Sequence, residues 1–213
     1  MGIVVSLEAR RQGRPDRTAT HAERLRTAFF FDLADPGTYL AAERVDRLFP
    51  GLDWMPASLE ALRVARGIAA RTGDTQAEAR ASILRMPLVW PERHPAPRPA
   101  AMRAASYAAE RGRGAAFVLA ASRLAFCGGF DLEDPAVLAE AAAAAGLGLR
   151  ECLQAAGEAE RDAEADRRAH GLLAAGAACL PVVRVGRLLF AGEDGIPAAS
   201  AAWRHGTALV YGA

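Results

Sequence analysis

The 213-residue sequence has no lysine and no asparagine, only three cysteines, and no apolar run long enough to cross a membrane. All 26 basic residues are therefore arginine; they face 25 acidic residues, for a net charge of +1. That balance leaves no basic excess with which to grip a phosphate backbone, so a nucleic-acid partner is not expected. A bias spread over every site looks genomic and marks no particular function. Cys127, Cys152 and Cys179 are odd in number, far apart and free of any C-x-x-C pattern. This excludes a disulfide framework, a zinc centre and dithiol redox chemistry, and leaves buried apolar thiols as the expectation. A membrane span needs ~20 consecutive apolar residues, and no segment comes near it. The opening residues run from apolar to arginine-rich (Arg10, Arg11, Arg14, Arg17), the reverse of a secretory leader. A cytoplasmic protein without a membrane partner is the expectation.

What is present is a globular composition, 52% hydrophobic and 24% charged. Thr27 to Leu33 is short, aromatic and almost continuously apolar, as a strand buried on both faces should be. Asp35-Pro36 then places an N-cap residue before a proline at the first helical position, and Tyr39, Leu40, Val45 and Leu48 recur at helical spacing up to Phe49-Pro50-Gly51. A second short strand is expected over Leu52 to Met55. Helices follow over Ser58 to Thr72, from the Thr75–Glu78 capping box to Met86, then Pro99 to Arg111, Gly114 to Phe126, Asp134-Pro135 to Gly146, Leu149 to Ala156 and Glu158 to Ala175. Five prolines between 87 and 99 make that stretch an ordered loop. Pro181 to Val185, Gly186-Arg187 and Leu188 to Ala191 read as a tight hairpin, with a short closing helix over Ala198 to Trp203. The pattern is that of an α/β sheet with a block of helices inserted.

Several ordered segments carry a family likeness. Phe30-Phe31-Asp32-Leu33-Ala34-Asp35-Pro36-Gly37-Thr38-Tyr39-Leu40-Ala41 resembles the F-D-F-x-S-P-Y-x-Y-L-A segment of 2-hydroxychromene-2-carboxylate isomerases and kappa-class glutathione transferases. Asp131 to Leu138 resembles that family's D-I-x-D-P-x-V-L, Gly176 to Val183 its G-V-x-G-V-P-T-F, and Gly192-Glu193-Asp194 its G-Q-D. The resemblance implies a DsbA-type thioredoxin-like fold: an N-terminal arm over 1–24, thioredoxin-like parts over 25–56 and 177–213, and a helical insertion over 57–176. It also implies a homodimer and a glutathione-dependent isomerase or transferase acting on a small aromatic or hydrophobic acid. Glutathione would lie as an extended strand against Leu180 and a cis Pro181, with Asp194 at its amino group.

The family's reactive Ser or Cys aligns with Asp35 and the second redox Cys with Thr38; a family Asn falls at Pro97 and a family Arg at Gly195. A helix N-terminus favours a thiolate, but an ionised Asp35 can only accept hydrogen bonds and would raise a thiol's pKa. Asp35 and Thr38 are accordingly the candidate catalytic residues, with an N-cap role as the structural alternative for Asp35. Leu180, Pro181, Asp194 and Arg93 are the candidate glutathione and substrate contacts; Arg93, in the proline-rich loop, is suited to a carboxylate. No metal ligand set is visible. The alternative for the whole chain is an inactive thioredoxin-like binding or scaffold protein. With no dithiol present, the protein should neither reduce insulin nor oxidise thiols catalytically; turnover that disappears on changing any one cysteine would overturn this exclusion.

Overall fold

Three phenylalanines in a row need burial on both sides, and the sheet provides it. The computed structural model describes residues 26–68 and 75–211; the N-terminal arm expected over 1–24 lies outside them. Strand β1, Thr27–Phe31, is buried at every position. It is central in a four-stranded sheet of order β2-β1-β3-β4. Strand β2, Asp53–Pro56, runs parallel to it with Phe29 opposite Trp54; β3, Val182–Val185, runs antiparallel with Phe29 opposite Val183. The hairpin partner β4, Leu188–Ala191, pairs Phe190 with Val183.

Because side chains alternate along a strand, Phe29 and Phe31 point to one face and Ala28 and Phe30 to the other. Phe29 and Phe31 meet Trp54 at ring-centroid distances of 5.0 and 6.0 Å. They enter a large core with α1, Pro36–Leu48; α4, Pro99–Glu110; α5, Gly114–Phe126; α6, Pro135–Ala144; α7, Leu149–Ala156; and α9, Ile196–Tyr211. Ala28 and Phe30 join a smaller cluster with Leu62 of α2, Leu59–Arg66, and with Ala169 and Leu172 of α8, Asp162–Ala174. Helix α3, Thr75–Leu84, is tied to α1 through Glu193, whose buried carboxylate pairs with both Arg44 and Arg80. Helices α2 to α8 all fall between β2 and β3 in the chain, so the expected α/β class and inserted helical block are both observed.

Several boundaries differ from expectation, each for a local reason. Helix α2 stops at Arg66, not Thr72, because Gly67 adopts φ 64°, and the N–H groups of Gly67 and Ile68 both return to Arg63 O. Helix α3 ends at Leu84 rather than Met86; Arg85 has φ 55°, and Met86 N closes the turn onto Ala81 O at 2.9 Å. The Glu158–Ala175 segment begins with a 3₁₀ turn, Ala159–Arg161, before α8. The closing helix is longer than the apolar spacing suggested. The cysteines only partly follow expectation: all three are free thiols, but Cys127 and Cys179 are exposed and Cys152 alone is buried. The proline-rich loop is ordered as expected. Tyr39 Oη donates to Pro87 O at 2.7 Å, Val89 N to Phe126 O at 2.8 Å, and Trp90 stacks on His94 at 4.6 Å.

The junction of α5 with β2 generates a test. An alanine normally improves on glycine in a helix by ~1 kcal/mol. A Cβ added at Gly114 would lie 2.9 Å from Trp54 Cβ and 3.3 Å from Ala109 Cα, neither of which is the end of a flexible chain. Gly114→Ala should therefore destabilise by ~1–3 kcal/mol in urea unfolding; a gain in stability would show that the β2–α5 contact is looser than described.

Candidate functional site

The sharp turn from β1 into α1 builds the site. Asp35 has extended backbone (φ −94°, ψ 117°), and its carboxylate caps α1 by accepting from Gly37 N and Thr38 N, both at 3.1 Å. Pro36 follows at the first helical position. Thr38 Oγ1 donates to Asp35 Oδ2 at 3.2 Å and accepts from Asp32 N at 3.3 Å. Thr38 is fully buried, so its hydroxyl is committed to the turn and does not face a ligand.

The start of α1 packs against the Leu180-Pro181 bond, which is cis as the resemblance implied. A Cβ at Gly37 would stand 3.0 Å from Pro181 Cδ and 3.1 Å from Asp35 Oδ2, so a side chain there would press the proline and the capping carboxylate apart by a few tenths of an ångström. The β1–β3 register reaches only to Val182, which leaves the Leu180 peptide beyond the ladder. Asp194 lies exposed in a 3₁₀ turn, Glu193–Gly195, that follows β4. Cys179 links these parts. Partial burial of its sulfur, then the negative charges of Asp35 and Asp194, raise its thiol above the ordinary range. Asp35, Thr38, Leu180, Pro181 and Asp194 are thus gathered at one end of the sheet. Arg93 is instead tied to Asp131, with Nε donating to Oδ2 at 2.6 Å.

Asp35 is half-buried as a residue, but protein surrounds its carboxyl. Desolvation pushes its pKa up to about 7, with the nearby Asp32 charge acting in the same direction. The hydrogen bonds from Gly37 and Thr38 oppose the shift without cancelling it. An always-ionised Asp35, assumed from the sequence, therefore gives way to a carboxyl that is part neutral near pH 7 and can donate as well as accept.

Two buried ionisable residues escaped the sequence reading. Asp32 ends β1, with Oδ1 accepting from Ala34 N at 2.8 Å and Oδ2 from Leu59 N at 2.7 Å. Burial raises its pKa, while Leu59, Ala34, Arg63 and Arg98 pull the other way. The available signal was a carboxylate closing an otherwise apolar strand. Arg98 lies between Pro97 and Pro99, is 1% exposed, and pairs with Asp131 through Nη1 at 3.0 Å. Nothing in its sequence context distinguishes it from a solvated loop arginine.

Among the described residues there is no cluster of His, Cys, Asp or Glu that could hold a metal ion, and no helix is long and apolar enough to cross a membrane. No protein-family profile matches the chain, and no curated protein matches it. Solved structures do. A 2-hydroxychromene-2-carboxylate isomerase superposes with a TM-score of 0.70 at 17% identity, covering 86% of this chain and 96% of its own. A probable DsbA oxidoreductase from Streptomyces coelicolor gives 0.61 at 22%, covering 84% and 90%. The cytosolic disulfide reductase DsbM from Pseudomonas aeruginosa gives 0.59 at 20%, covering 85% and 96%.

The raised Asp35 carboxyl makes stability depend on pH. Its folded pKa of about 7 lies above the ordinary 3.8, so the folded state holds this proton more tightly than the unfolded state does. The stabilisation is full below pH ~4 and is lost as pH rises through ~7. Asp35→Asn keeps a good cap without the charge. The stability of the parent relative to Asp35→Asn should fall by a few kcal/mol between pH 4 and 8, read from chemical denaturation; a pH-independent difference would show an ordinary exposed carboxylate. The chain has the DsbA-like thioredoxin fold with its large helical insertion, the fold shared by the isomerase and the oxidoreductases above.

Proposed function

We propose that this protein is a glutathione-dependent enzyme of the isomerase or transferase type, acting on a small aromatic or hydrophobic acid as a cytoplasmic homodimer. The observation that carries this reading is the meeting of a half-neutral Asp35 carboxyl with Pro181 at the open end of α1. Glutathione would bring the reactive thiol. The Leu180 peptide, free of the ladder, would pair with the cysteinyl backbone, and the exposed Asp194 would take the amino group. Near pH 7 the neutral form of Asp35 holds a proton it can give to a thiolate, and the ionised form can take one back. A single residue thereby supplies both halves of a proton transfer.

One observation favours the inactive binding or scaffold reading. Both Asp35 oxygens already accept hydrogen bonds within their own turn, from Gly37 N, Thr38 N and Thr38 Oγ1. Calorimetry of glutathione binding by the parent and by Asp35→Ser, at pH 6 and pH 8, separates the two. The serine variant keeps a cap and a neutral donor at both pH values. On the enzyme reading the parent loses affinity from pH 6 to pH 8 as Asp35 ionises, and Asp35→Ser binds ~tenfold more tightly than the parent at pH 8, one unit of thiol pKa being 1.36 kcal/mol. Absence of binding by both proteins at both pH values leaves the scaffold reading.

A further inference from the structure

Glu193 is a buried carboxylate held from two helices at once. It pairs with Arg44 of α1 and with Arg80 of α3, whose Nη2 donates to Oε1 at 3.2 Å. Arg44 Nη2 donates in addition to the Glu193 backbone carbonyl at 3.1 Å, so main chain and side chain are gripped together. Apolar burial contributes little to seating α3, where only Ala77 and Ala81 are buried, and the Arg80 pair is a main tie between that helix and the turn after β4.

The turn that carries Glu193 also carries Asp194. Gly192 N donates to Pro181 O at 2.7 Å, which joins the start of this turn to the cis-proline segment. Successive residues of a 3₁₀ turn point ~120° apart, so drawing Glu193 inward directs Asp194 outward. Asp194 is exposed accordingly. Gly192, at φ 81°, leaves room for it: a Cβ there would stand 2.7 Å from Asp194 Oδ1. From this position Asp194 acts on Cys179, whose thiol is raised first by partial burial and then by the charges of Asp35 and Asp194, against Arg66.

We propose that Glu193 is a positioning residue: clamped by Arg44 and Arg80, it fixes the Glu193–Gly195 turn so that the Asp194 carboxylate faces the site beside Cys179 and Pro181. The proposal rests on the functional reading above only for the ligand that Asp194 meets, the amino group of glutathione.

Alkylation of Cys179 by iodoacetamide, followed across pH in a Cys127→Ser background that leaves one exposed thiol, reads where Asp194 stands. Arg80→Met keeps an apolar stem, and Glu193 retains Arg44 as its partner. Loss of the Arg80 charge by itself would push the thiol further up, whereas releasing Asp194 from its side brings the thiol down. Arg80→Met and Asp194→Asn should each lower the apparent pKa of the thiol, and the two together should go no lower than Asp194→Asn alone. Arg80→Lys, which keeps the charge, should behave as the parent. An Arg80→Met that raises the thiol or leaves it unmoved, one that lowers it equally in the Asp194→Asn background, or an Asp194→Asn without effect would each overturn the proposal. Should Arg80→Met not fold, Arg44→Met removes the other half of the clamp and carries the same expectation. In calorimetry Arg80→Met should bind glutathione ~tenfold more weakly than the parent, and N-acetylglutathione, whose amine is blocked, as the parent does. Equal losses for the two ligands would mean general damage and overturn the positioning role. Absence of glutathione binding by the parent fails the reading of the ligand and leaves the thiol measurement to decide.

Discussion

The buried carboxylate of Asp32 is the constraint on which the site depends. It stands where β1 leaves the core, and its two oxygens are divided between Ala34 N, which shapes the β1–α1 turn, and Leu59 N, which fixes the start of α2. One side chain thereby joins the strand carrying the three phenylalanines to helices on both faces of the sheet. Its charge also reaches Asp35, the next acidic residue, and helps raise the capping carboxyl. Asparagine could preserve only part of this, since its amide nitrogen cannot accept from a backbone N–H.

The parts of the fold readable from sequence are those set by short-range rules. Asp35-Pro36 and Asp134-Pro135 mark helix starts because a side-chain acceptor and a preset φ act within three residues, and both caps form as those rules require. The double-faced burial of β1 follows from an aromatic run too apolar to face water on either side. Boundaries failed where a left-handed residue decided the end: Gly67 was one glycine among several, and Arg85 carries no signal for φ 55°. The placement of the candidate residues was legible, but their electrostatics were not. Asp35, Leu180, Pro181 and Asp194 do gather, yet the protonation of Asp35 depends on burial and on Asp32, which a linear string does not contain. Arg98 was invisible for the same reason, since its burial and its unpaired edge arise from α4 packing beside Asp131.

A last step concerns how α1 spends its N-terminal field. In this fold a thiolate at the helix start would draw on the unpaired N–H groups and the positive end of the dipole. Here Gly37 N and Thr38 N are already given to Asp35, so the donors that would stabilise an external anion instead stabilise a side chain of the chain itself. Even so, desolvation outweighs those bonds, and the carboxyl stays near neutrality. The Cys179 thiol reports the same balance from outside: it is shifted up rather than down, first because its sulfur is partly buried and then because Asp35 and Asp194 add negative charge, with Arg66 opposing them. The positive potential at the start of α1 is thus spent on the chain's own carboxyl, whose protonation changes near pH 7.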